Sequence, residues 1–119
     1  MIYDAVVVGA GPAGSAVARD VAAQGLRVLL LEEHVGVGEP LHCAGLVTPR
    51  TLALAGVGEG LVINEFTGAF INTPSGRCLA LEGGRAHALA MDRVRFDREL
   101  AAQAQARGAI LCTGTRLVG

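Results

Sequence analysis

The residues best suited to chemistry stand near the start of the chain. Gly9-Ala10-Gly11-Pro12-Ala13-Gly14 has the spacing GxGxxG, and Glu32 follows eighteen positions beyond Gly14. Each glycine answers a separate need of a phosphate-binding turn. Gly9 permits the tight turn, Gly11 lets backbone approach a pyrophosphate, and Gly14 lets the next helix pack close to a sheet. Pro12 suits a first helical turn, where a missing N–H costs nothing. With Ala13 it opens a helix whose unpaired amides and dipole favour a diphosphate. Glu32 would accept hydrogen bonds from ribose hydroxyls, and the paired carboxylates of Glu32-Glu33 would repel a 2′-phosphate, which argues against NADP in this loop. The chemistry implied is the capture of a dinucleotide. A glycine turn kept only for packing is the plainer reading, and the neighbouring pattern decides between them.

The elements that must position these groups fit the first reading. Ala5-Val6-Val7-Val8 is a short apolar run of the kind buried in a parallel sheet. Ala13, Ala16, Val17 and Val21 recur at helical spacing until Gly25. Leu26 to Leu31 repeats the strand pattern and ends at Glu32-Glu33, so a βαβ unit is predicted. The fold class expected is α/β, Rossmann-like, with a parallel sheet. His34 to Gly60 reads as loop, with Thr48-Pro49 entering a short helix over Arg50 to Ala55. Phe66 to Ile71 and Cys78 to Leu81 flank the turn residues Asn72 to Gly76, which predicts a β-hairpin insertion. Asp92 can cap a helix carrying Val94, Phe96, Leu100, Ala101 and Ala104 inward and ending at Gly108. Ile110 to Thr113 supplies a further strand. Arg93, in the first turn of that helix, can present a fixed positive charge to a pyrophosphate, as could Arg95 or Arg98.

Composition narrows the function further. The 119 residues suit one domain. A formal charge of -1 lacks the basic footprint of a nucleic-acid binder. Cys43, Cys78 and Cys112 are odd in number, far apart and outside any CxxC. They suit neither a disulfide framework nor a metal site and point to a reducing, cytoplasmic setting. No apolar run reaches the ~20 residues of a membrane-spanning helix. The N-terminus lacks the basic region of a signal peptide, so Met1 reads as a true start.

Taken together, Asp4 to Gly14, Leu29 to Glu33, Cys43-Ala44-Gly45 and Arg93-Val94-Arg95-Phe96-Asp97-Arg98-Glu99-Leu100 resemble the geranylgeranyl reductase family of FAD-dependent flavoproteins, which share the aromatic-hydroxylase fold. The resemblance implies FAD as cofactor, held by Gly9 to Gly14, Glu32 and Arg93, with backbone near Leu117 beside the adenine. It implies reduction of isoprenoid C=C bonds by reduced FAD, with NAD(P)H as a donor to the flavin, and peripheral contact with membranes where such lipids reside. It also implies that Cys43, Ala44 and Gly45 lie near the flavin, with Cys43, next to His42, as the catalytic candidate; the spacing here departs from the Cys-x-x-Gly turn of such reductases. An FAD-dependent monooxygenase or halogenase of the same fold is the alternative enzyme, and a non-catalytic nucleotide-binding module the alternative of another class. The second domain and the later Gly-Asp motif of such enzymes are not in this sequence, so an N-terminal portion of an FAD-binding domain is expected. Its unfinished sheet would leave an apolar face or edge open to self-association.

Overall fold

Short runs of Val and Leu build the sheet that carries the glycine turn. The structure is a computed structural model that describes residues 1–119. In chain order its elements are β1 (Ala5–Val8), α1 (Pro12–Ala22), β2 (Val28–Leu31), β3 (Leu46–Val47), α2 (Pro49–Ala55), a 3₁₀ turn (Glu59–Leu61), β4 (Val62–Phe66), β5 (Gly68–Asn72), β6 (Cys78–Glu82), β7 (Ala88–Met91), α3 (Arg93–Ala106) and β8 (Ile110–Cys112). They form two units, one of Met1–His42 with Arg93–Gly119 and the other of Cys43–Asp92. No helix is long and apolar enough to cross a membrane.

In the first unit the strands run parallel in the order β1-β2-β8. Register pairs Val7 with Leu30 and Leu30 with Leu111, and these side chains face a core that also holds Ala18 and Ala22 of α1 and Ala101 and Ala104 of α3. Small side chains on both helices allow close approach, so this core is tight although it contains few large residues. Arg19 Nη1 bridges the two helices by donating to Gln103 Oε1 at 2.9 Å.

Because both helices contribute to that one core, the alternate residues of the sheet turn the other way. Val6, Val8 and Ile110 are 52%, 56% and 43% exposed. β1 is therefore an edge strand with an open apolar face, not a strand buried on both sides. The second strand begins at Val28, two residues later than the apolar run suggests, because the Arg27 N–H donates to Asp4 Oδ2 at 2.8 Å. Helix α1 ends at Ala22, and Gly25 takes a φ of +81° just beyond it. Helix α3 begins immediately after Asp92, and Gly108 follows its end with a φ of +103°.

The second unit is larger than a hairpin insertion. Its hairpin pairs β5 with β6 from Gly68↔Glu82 to Asn72↔Cys78. Phe66 lies outside that pairing and instead joins β4, opposite Ala88 of β7. The break falls at Gly68, where a side chain would overlap the Leu81 carbonyl. A separate antiparallel sheet, β3-β7-β4, was not expected from the sequence. Helix α2 follows the expected entry: Thr48 caps it by accepting the Thr51 N–H at 3.3 Å.

Candidate dinucleotide-binding site

The strand-turn-helix junction of the first unit opens onto a cleft of about 490 Å³. Gly9, Gly11 and Pro12 line it together with Glu32, His34, Arg93, Asp97 and Leu117. Residues from the two ends of the chain meet here because β2 continues its pairing beyond the strand. The Glu32 N–H donates to the Cys112 carbonyl at 2.9 Å and the Thr115 N–H to the Glu32 carbonyl at 2.8 Å, which draws residues 115–117 to the rim.

The three motif glycines divide their work. Gly9 has a φ of +92°, a region that a side chain disfavours. A Cβ on Gly14 would overlap the carbonyl oxygen of Gly9. Gly11, in contrast, has ordinary backbone angles and nothing within 4 Å of a Cβ. The space in front of it belongs to the cleft. The first intrahelical bond of α1 runs from the Ser15 N–H to the Gly11 carbonyl at 2.9 Å, so the amides ahead of Ser15 have no acceptor within the helix. Ser15 Oγ ties the turn from beneath by donating to the Ala10 carbonyl at 3.1 Å.

Glu32 is locked in place by this turn. Its Oε2 accepts the Ala10 N–H at 2.8 Å. Its Oε1 accepts the His34 N–H at 3.0 Å and lies 2.7 Å from His34 Nδ1, which must carry the proton because a carboxylate only accepts. Burial pushes the Glu32 carboxyl up, but the bonds from the His34 and Ala10 amides and the His34 ring outweigh it and hold the group below its ordinary value. A lowered value means stability that is complete above the unfolded-state pKa, about 4.3, and lost as pH falls through the folded-state value. Thermal melts between about pH 3 and pH 6 should therefore show Glu32→Gln losing less stability on acidification than the parent chain. Parallel acid limbs in the two proteins would refute that assignment.

Of Arg93, Arg95 and Arg98, only Arg93 lines the cleft, together with Arg116 from the far end of the chain. Arg93 Nε donates to Asp97 Oδ1 at 3.1 Å and its Nη2 to Asp97 Oδ2 at 3.5 Å, and its guanidinium lies 5.9 Å from the centre of the Phe96 ring. Arg98 has a different task. Its Nε donates to the Val37 carbonyl at 3.1 Å and its Nη2 pairs with Glu39 at 3.1 Å, holding the loop over residues 36–40 against α3. Gly38 completes that contact, since a Cβ there would stand 3.0 Å from Val94 Cα.

Not every expected residue meets at the cleft. Ala13 and Gly14 belong to the first turn of α1 and are not among the residues that line the cleft. Cys43, Ala44 and Gly45 belong to the second unit. There the exposed Cys43 has its Sγ 3.5 Å from the Gly45 N–H, and the Gly45 carbonyl accepts the Met91 N–H at 3.0 Å. His34 and Asp97 were not singled out as site residues. Asp97 had a legible signal, its i,i+4 spacing from Arg93. His34 had none.

A glycine turn between parallel strands, with a carboxylate at the end of the second strand bonded back to that turn, defines a Rossmann-like dinucleotide-binding fold. Residues 7–49 match the model of the NAD(P)-binding Rossmann-like domain. Within that class the chain is similar to geranylgeranyl reductases over part of their length. It is 36% identical over 121 residues to digeranylgeranylglycerophospholipid reductase 1 of Methanococcoides burtonii, a match covering 98% of this chain and 30% of that protein. It is 36% identical over 117 residues to geranylgeranyl diphosphate reductase of Rhodobacter capsulatus, covering 98% of this chain and 29% of that one. Among solved structures, a geranylgeranyl bacteriochlorophyll reductase-like protein from Thermoplasma acidophilum superposes with a TM-score of 0.84 at 33% identity, covering 94% of this chain and 30% of that protein. The chain thus spans about 30% of the length of the curated relatives it matches.

Proposed function

We propose that this chain binds the adenosine diphosphate half of FAD in the cleft, as part of an oxidoreductase that reduces isoprenoid C=C bonds. The observation that carries the reading is the open space before Gly11, flanked by the α1 amides, the Arg93 guanidinium and the locked Glu32 carboxylate. A diphosphate placed there meets backbone donors and the guanidinium of Arg93, with that of Arg116 also on the cleft wall, and Glu32 faces the ribose hydroxyls. Backbone around Leu117 borders the adenine. The resemblance further assigns Cys43, Ala44 and Gly45 to the flavin, with Cys43 either tuning the ring or donating a proton. When bound, FAD supplies the hydride chemistry, refilled by a donor such as NAD(P)H. The chain's own residues bind and orient the cofactor.

The names of the relatives support an isoprenoid substrate, whose head group differs between the two proteins compared. The decisive experiment is an absorption spectrum of the purified chain after FAD reconstitution, with flavin counted after denaturation. Near-stoichiometric FAD, lost in Glu32→Ala, is the expected result. A folded chain that stays colourless with excess FAD would sink the proposal.

A further inference from the structure

Asp97 is a charged residue only 8% exposed, at the edge of a site expected to receive a phosphate. A carboxylate there is unfavourable twice over, since burial disfavours its charge and a phosphate would repel it. Its partner explains its presence. The carboxylate grips Arg93 through Nε and one N–H of Nη2. A guanidinium has five N–H donors in a rigid plane. The grip therefore fixes the plane and leaves Nη1 and the second N–H of Nη2 for a ligand. The loop that Arg98 tethers leaves little room beside Asp97, since a Cβ added at Gly38 would stand 3.4 Å from the Asp97 Cβ.

We infer that Asp97 is a positioning residue that sets the orientation of Arg93 toward a diphosphate in the cleft. The inference rests on the proposed FAD site. An unheld arginine at the start of α3 would sample many rotamers, and each bond to phosphate would then cost ordering entropy. Asp97 removes that cost before the ligand arrives, at the expense of some net positive charge.

The test compares ADP with adenosine, which share base and ribose and differ only in the diphosphate. Affinities are measured by ligand-observed NMR on the full chain, with thermal melts as the check on folding. The parent should prefer ADP by at least about tenfold, roughly the worth of one charge-assisted hydrogen bond. Asp97→Asn should lower ADP affinity about tenfold and leave adenosine affinity unchanged. A purely structural carboxylate would weaken both ligands alike, and a carboxylate that only neutralises Arg93 would, on removal, tighten ADP. Either result overturns the inference. If Asp97→Asn fails to fold, Asp97→Glu keeps the charge and shifts it by one methylene. The same fall in ADP preference is expected from it, and an unchanged preference counts against the inference. Arg93→Gln separates the two claims. A preference lost there yet kept in the Asp97 variants rejects only the positioning role, a preference that survives Arg93→Gln removes Arg93 from the diphosphate site and the inference with it, and no preference in the parent removes the diphosphate reading itself.

Discussion

Gly14→Ala is expected to destabilise the chain by about 3 kcal/mol or more, lowering the melting temperature by roughly 10 °C. The added methyl would overlap the Gly9 carbonyl oxygen, which is backbone and has no rotamer to yield. Relief requires α1 to move away from the end of β1. That motion would open the core where Ala18 and Ala22 pack against Val28 and Leu30, and such cores tolerate little displacement. The measurement is a thermal or urea melt of the variant beside its parent. A midpoint within about 2 °C of the parent would mean that the turn adjusts freely and that Gly14 is not a packing requirement.

Gly11→Ala is expected to do the reverse. Its φ of −72° and ψ of −176° are open to any residue, and no atom lies within 4 Å of the new Cβ. Replacing Gly by Ala stiffens the unfolded chain slightly, and Ala is a poorer N-cap than Gly. The two effects are each below about 1 kcal/mol and oppose one another. Stability should stay within about 0.5 kcal/mol of the parent. FAD affinity, by contrast, should fall by about 100-fold, since the methyl occupies the place where backbone must approach the pyrophosphate. Isothermal titration with FAD checks this directly. Undiminished binding would locate the pyrophosphate away from Gly11. The two variants together separate the glycine that the fold needs from the one that the ligand needs, a distinction hidden in the motif.

The first unit was legible for a physical reason: its strands are apolar on consecutive residues, its helices have a clear period, and Gly25 and Gly108 mark their ends. Glu32 could be placed because its role follows from the length of one βαβ unit. The environment of β1 was misjudged, since consecutive apolar residues show that both faces avoid charge and do not show which neighbour covers them. In the second unit β3 is two residues long, and β4 carries Asn64 and Glu65 in its middle, so neither offers the alternation that reveals a strand. Phe66 was misassigned because only a contact distant in sequence, Gly68 against Leu81, separates β4 from the hairpin. At the site, the choice among Arg93, Arg95 and Arg98 depended on the position of the loop over residues 36–40, which helical spacing cannot supply.

The sheet of the first unit is stitched from distant parts of the chain. Leu29 pairs with Ile110 and Leu31 with Cys112, so β2 waits for a strand about eighty residues downstream. Loop closure of that length adds only modest entropy, because the cost grows with the logarithm of the loop. Its effect is on time instead. Nonlocal parallel pairing slows folding, and a nascent chain that has emerged only through β2 holds a βαβ unit without α3, whose Ala101 and Ala104 close the core. During synthesis the glycine turn and its carboxylate thus emerge before the α3 residues that support them.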